Sequence, residues 1–358
     1  MRNDKIKSND IIPLRLINTC RSLYPKCYEE LQDLHDSLHI EKDDRCYLPT
    51  SYFETYAMNE NKKLKFNGEI TTNVMFRDKV LHETWLLQAT ASWRKEKIIY
   101  EFEQNFFLEL CSKAVVSEIP VEILQRLPFN SFYVANKWFV KNAISSLEVI
   151  SIKGFFVLFD DDRDYYNNSE IKIILVCEDD NLMTLTVPLI KGVSIERALI
   201  RTFNRDFKRI ENSNMINAFL EVLKHRELYV ELTQRILSAI LYLCTDNSDI
   251  QREGVAGSVI KTKSVSSIKD KPNEIKKWQV GFKYKKFYSS VESNTSNSKT
   301  NGIGKKKRPH IRAGHFHHFW TKNESGEREL KLRWVSATYI NGTEDDIIPT
   351  ITKVKDKK

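Results

Sequence analysis

Between Lys305 and Trp320 the chain gathers the residue types that a nucleic-acid contact needs. Lys305, Lys306, Lys307, Arg308 and Arg312 supply cations, His310, His315, His317 and His318 supply imidazoles, and Phe316, Phe319 and Trp320 supply rings. No Asp or Glu occurs from Ser293 to Asn323. Cationic side chains neutralise phosphate and aromatic rings stack on bases. A solvated charge run has no need of the rings, and a core strand does not tolerate the cations. The run therefore predicts contact with RNA or the ribosome, carried by Lys305, Lys306, Lys307, Arg308, His310, Arg312, His315, His317 and Trp320. Arg333 joins them from the strand that follows.

Other chemistries for the same residues are weaker. Read as a strand, the run alternates faces: His310, Arg312, Gly314, Phe316, His318 and Trp320 on one side, Ile311, Ala313, His315, His317 and Phe319 on the other. Neither face is purely apolar, so some imidazoles point to solvent or a ligand. His315 and His317 share a face as a metal pair would, but no neighbouring carboxylate or cysteine completes a site, and neither metal nor cofactor is expected. A histidine-dependent RNase using His310, His315 and His317 as acid, base and phosphate ligand is the enzymatic alternative. A sequence-tolerant nucleic-acid-binding regulator is the third. The acidic stretches Asp160 to Asp164 and Glu178 to Asp180 lack the glycine and closing glutamate of a calcium loop, so both read as solvated turns. Phosphate-binding loops, nucleophile elbows and dinucleotide-binding glycine patterns are absent from the sequence. Binding, not catalysis, is the expectation.

The elements that must position this run read as α+β. Residues 1–128 form a helical region. Leu14, Ile17, Leu23, Leu31, Leu34 and Leu38 recur at helical spacing, with a break at Pro25. Residues 41–73 read as polar and irregular, anchored by Tyr47, Tyr52, Phe53 and Tyr56. One long helix is predicted over 74–116, with Trp85 and Trp93 facing a core, and a short one between Pro120 and Pro128. Residues 129–250 read as an antiparallel sheet with packed helices. Short β-branched runs at 131–134, 148–159, 171–177 and 183–188 predict a meander, and helices follow at 194–207 and 215–244. An exposed edge of that meander, with Trp138 and Phe139 offering pockets, is the candidate surface for a peptide. Residues 251–304 read as a partly flexible linker holding one strand near Lys277–Tyr284. Residues 305–345 form a basic hairpin, with strands at 310–320 and 330–341, and 346–358 a charged tail.

Of the 358 residues, 41% are hydrophobic and 29% charged, an ordinary globular balance. The net charge of +8 is uneven. Residues 251–358 hold 24 Lys+Arg against 11 Asp+Glu, so the basic character belongs to the last third and favours a polyanionic partner. The apolar runs are too short for a bilayer, and the first residues lack a secretory pattern, so a cytoplasmic protein is expected. Cys20, Cys27, Cys46, Cys111, Cys177 and Cys244 form no Cys-x-x-Cys pair and read as reduced, buried thiols.

The stretch Arg308-Pro309-His310-Ile311-Arg312, with Gly314-His315, His317 and Trp320, resembles the C-terminal signature of a type V-A anti-CRISPR family. Its members lower production of the type V-A effector nuclease. Leu330 to Trp334 and Tyr339 to Asn341 resemble that family's closing strand. Further similarities, in the family's order, occur at Ala91–Arg94, Ile119–Pro120, Leu127–Pro128, Ile152–Phe156 and Leu241–Cys244. This sequence departs from the pattern at Ala313, where Arg is common, at Phe316, where Trp is frequent, and at His318, where a small residue is usual. The resemblance implies an inhibitor encoded by phages, plasmids or related mobile elements. It implies recognition of the target's nascent N-terminal peptide, and loss of the target's mRNA during translation.

Overall fold

A computed structural model describes residues 11–38, 44–63, 74–113, 116–141, 149–161, 169–211, 226–253, 274–282, 284, 310–312, 314–323, 325–336 and 338–340. Four helices come first: α1 (Ile12–Leu23), α2 (Cys27–Ser37), α3 (Thr50–Lys63) and α4 (Val74–Glu96). Pro25 falls between α1 and α2, as the sequence predicts. Two other expectations for this region are corrected. Residues 50–63 are helical, not irregular, and the long helix stops at Glu96 instead of running to 116. Lys97 takes a left-handed conformation (φ 54°) and the Trp93 indole donates to Ile98 O at 2.7 Å, which turns the chain. The β-branched pair Ile98-Ile99 then opens β1 (Ile98–Phe102), and α5 (Gln104–Lys113) follows. Buried helix and buried strand are both apolar throughout, so periodicity cannot separate them there.

After a 3-10 turn at Val121–Arg126 come β2 (Ser131–Val134), β3 (Trp138–Lys141), β4 (Val149–Asp161), β5 (Ser169–Cys177) and β6 (Leu182–Pro188). Helices α6 (Ile195–Glu211) and α7 (Arg226–Leu243) lead to β7 (Ile250–Arg252) and β8 (Lys276–Val280). These strands form one sheet in the order β6-β5-β4-β2-β1-β8-β7, with β3 beside β4. The expected four-run meander is β2-β4-β5-β6, paired antiparallel throughout. The sequence pattern does not announce β3, nor that β1 pairs in parallel with β2 and with β8. At the bulge where β4 passes from β3 to β2, a Cβ on Gly154 would lie 2.1 Å from the Tyr133 hydroxyl. Only glycine fits that approach.

Both faces of the sheet are covered, which is why its strands are apolar runs and not alternating ones. Phe156, Leu158, Ile174 and Val176 face α1 to α4, where Trp93, Phe53 and Leu31 are fully buried. Phe155, Val157, Ile173 and Leu175 face α5, α6 and α7. Each such side chain contributes about 1.5–3 kcal/mol when taken from water. Asp160 and Asp161, expected in a solvated turn, are instead buried at the end of β4. The Asp160 carboxylate pairs with Lys172 at 2.7 Å. No described helix is long and apolar enough to cross a membrane.

Candidate nucleic-acid interface

The final strands are β9 (His310–Arg312), β10 (His315–Lys322), β11 (Arg328–Val335) and β12 (Thr338–Ile340). The strand predicted over 310–320 is thus divided between β9 and β10, with Gly314 in neither. β10 and β11 make the expected hairpin, and β9 pairs with β12 as its continuation. The antiparallel register sets Phe316 against Trp334, His318 against Leu332 and Trp320 against Leu330 on one face. His315 against Val335, His317 against Arg333 and Phe319 against Lys331 occupy the other.

The first face is anchored. Leu330, Leu332 and Trp334 are buried in the same core as α5 and α7. The Trp334 ring meets Phe316 at 4.9 Å, Phe106 at 5.9 Å and Tyr242 at 6.1 Å, all edge to face. Asn247, just after α7, acts as a neighbouring strand: its Nδ2 donates to Trp334 O at 2.7 Å and its Oδ1 accepts from Trp334 N at 2.9 Å. The Gly314 N–H donates to Glu109 Oε1 at 3.2 Å, and the Tyr284 hydroxyl to Glu109 Oε2 at 2.6 Å. Such anchoring holds the opposite face still.

That opposite face carries a column of cation, ring and imidazole. Phe319 lies 5.3 Å from His317, and the Arg333 guanidinium sits 5.7 Å over the Phe319 ring. His317 and Arg333 are exposed, and Phe319 is half-buried. No carboxylate among the described residues pairs with Arg333. Lys331 beside them is engaged with Glu329 at 2.9 Å. An arginine fixed over a ring offers both a phosphate partner and a stacking plane.

The sequence-predicted residues divide accordingly. His315, His317 and Arg333 share the outer face. Trp320 is 51% exposed but projects from the anchored one, so it stands apart from the column. His310 and Arg312 lie on β9, opposite Ile340 and Thr338. Lys305, Lys306, Lys307 and Arg308 fall outside the described residues. Phe319 is not among the contacts expected from sequence, although its place two residues after His317 is a signal that could have found it. Trp138 is buried and packs edge-on against Phe107 at 6.3 Å, whereas its neighbour Phe139 is 67% exposed. Of the two peptide candidates, Phe139 alone presents its ring outward. No cluster of three or more metal-binding side chains occurs among the described residues.

A family model described as AcrVA2-like, the anti-CRISPR type V subtype A2 family, matches residues 100–342. Among solved structures, the crystal structure of AcrVA2 resembles this fold with a TM-score of 0.59. The alignment has 17% identity and covers 91% of this chain and 98% of that chain. No curated protein sequence matches the chain.

Proposed function

Because the chain belongs to the anti-CRISPR type V subtype A2 family, we propose that it silences a host defence nuclease during that nuclease's synthesis. In this reading the protein is a cytoplasmic binder from a mobile element, without catalysis of its own. It reads the N-terminal peptide as it leaves the ribosome and holds the translating complex by RNA, and the message is degraded. The observation that carries the RNA contact is the exposed His317, Phe319 and Arg333 column on a hairpin whose other face is locked into the core. For the peptide, β3 supports the reading. Among the described strands it pairs only with β4, and it exposes Phe139, an edge and a ring suited to strand addition. Two weak contacts on one particle raise effective concentration and confine action to ribosomes making the target.

A reporter carrying the first few dozen codons of a type V-A effector gene tests this. Synonymous recoding leaves repression intact, and a frameshift that keeps nearly all nucleotides abolishes it. The reverse result would mean that the protein reads nucleic-acid sequence directly.

A further inference from the structure

Two cavities meet on the α1–α4 side of the molecule, with Tyr47 and Lys95 as their common wall. The larger, about 360 Å³, lies between α2 and the end of α4, and Arg21, Tyr28 and Arg94 line it. The smaller, about 180 Å³, runs in toward Arg45, Glu96, Ser131 and Phe159. None of these groups belongs to the hairpin.

The smaller cavity holds buried polar atoms that lack hydrogen-bond partners. Glu96 Oε1 accepts from the Asn130 N–H at 3.1 Å and the Ser131 N–H also reaches the carboxylate, but Glu96 Oε2 is buried without a well-formed hydrogen bond. Ser131 Oγ is in the same condition, on a residue 3% exposed. Leaving a buried polar group unpaired is costly, more so for a carboxylate. Burial accordingly raises the Glu96 carboxyl above its usual range. A ligand with adjacent N–H donors removes that penalty.

The surroundings narrow the ligand. The Arg45 guanidinium carbon lies 4.0 Å from the centre of the Phe159 ring, and guanidinium planes stack on bases. Arg94 sits 3.9 Å over Tyr28, and among the described residues no carboxylate pairs with it. Lys95 lies 4.7 Å over Tyr47. Glu29 and Asp33 also line the larger cavity, which disfavours a densely charged polyphosphate. A peptide strand has no open edge of β2 to join here: β4 pairs it from Ser131, β1 takes its other side from Tyr133, and the Glu96 carboxylate takes the Asn130 N–H before that.

We propose that the double cavity is a site for a guanine nucleotide carrying one phosphate. The base occupies the smaller chamber with its N1–H and amino group toward Glu96 Oε2 and Ser131 Oγ, and the phosphate reaches Arg94 and Lys95. Adenine presents an unprotonated N1 at the corresponding place, which a carboxylate repels. The nucleotide is either free or a guanine within single-stranded RNA, since both present the same groups.

Calorimetric titration of the full chain tests the proposal with guanosine, guanosine monophosphate, adenosine monophosphate, and two short oligoribonucleotides that differ by one G-to-A change. Guanine ligands should bind at least tenfold tighter than their adenine counterparts. Glu96→Gln should remove most of that preference, Ser131→Ala part of it, and Arg94→Ala should weaken the monophosphate while sparing guanosine. Arg333→Ala on the hairpin should leave the mononucleotide affinities and the guanine-over-adenine preference unchanged, whatever it does to overall RNA affinity, which separates this site from the RNA contact proposed above. Binding of the mononucleotide identifies a free nucleotide as sufficient, and binding of the oligomer alone identifies RNA as the source. Equal affinity for guanine and adenine, absence of guanine binding, or full binding by a folded Glu96→Gln protein would overturn the site. So would a lysine-bearing peptide that competes while nucleotides do not. Should Glu96→Gln fail to fold, Ser131→Ala and Arg94→Ala decide the outcome.

Discussion

Asp160 at the end of β4 holds Thr50 at the first turn of α3 by two hydrogen bonds across 110 residues of chain. The Thr50 N–H donates to Oδ1 at 3.1 Å and the Thr50 hydroxyl to Oδ2 at 2.7 Å. Lys172 neutralises the same carboxylate, and Gln88 Nε2 donates to the Thr50 hydroxyl oxygen at 2.8 Å. A carboxylate at a helix N-terminus satisfies the orphan N–H groups and complements the helix dipole. Here it comes from another layer of the fold, so it clamps α3 onto the sheet.

Asp160→Ala should therefore destabilise the protein by about 3–5 kcal/mol, because the buried Lys172 loses the carboxylate that faces it at 2.7 Å. Replacing both residues, Asp160→Leu with Lys172→Met, should recover much of that stability. Denaturant unfolding measures both, and a double variant no better than the single would show that the helix cap outweighs the ion pair.

Gly314→Ala tests how the hairpin is seated. A Cβ there would lie 2.3 Å from Trp334 Cζ2, and Trp334 is packed on Phe106 and Tyr242, so it has no room to retreat. The expected cost is about 1–3 kcal/mol of overpacking. Near-ultraviolet circular dichroism and limited proteolysis should show the hairpin loosened ahead of global unfolding.

How much of this is legible in the sequence depends on where each constraint sits in the chain. The strands at 131–134, 171–177 and 183–188 announce themselves by β-branched runs between polar turns, and the hairpin by its two strands around a polar loop. Helix α3 does not, because its cap is Asp160 and its anchor Phe53 sits among polar residues. The end of α4 turns on the backbone of Lys97 and the indole of Trp93, which hydrophobic spacing does not encode. At the candidate interface, the residue types are readable but the choice of outward face is not. The face is decided by Trp334 and Leu332 entering a core built by α5 and α7. Glu96 and Ser131 lie far apart in sequence and carry no motif, so only the fold brings them to one cavity.

The thiols should be inert in the native state. All six cysteines are buried and none is in a disulfide. Burial pushes the Cys27 and Cys244 thiols up to about 12, and raises Cys20, Cys111 and Cys177 as well. A raised thiol pKa lowers the thiolate fraction, the reactive form, at every pH below it. Ellman's reagent at pH 8 should thus titrate essentially none of the six rapidly, and all of them in denaturant. A fast native thiol would place one cysteine at a mobile part of the structure.

The outer face of the hairpin makes the most direct prediction. Arg333→Ala should weaken binding to single-stranded RNA or ribosomes and flatten its salt dependence, since each phosphate left without its cation reduces the slope by about 0.7. Changing Lys305, Lys306, Lys307 and Arg308 together to Ala should flatten it further. Phe319→Ala removes stacking, not charge, so it should cost about 1–3 kcal/mol of binding while leaving the slope unchanged. The contrast matters, because general unfolding would abolish both together. Binding with an unaltered slope in the Arg333 and quadruple variants would remove the electrostatic role from this face. The same purified protein should leave RNA intact, with or without divalent metal. Cleavage that disappears in a folded His317→Ala or His315→Ala variant would instead make the imidazoles catalytic and the protein a histidine-dependent RNase.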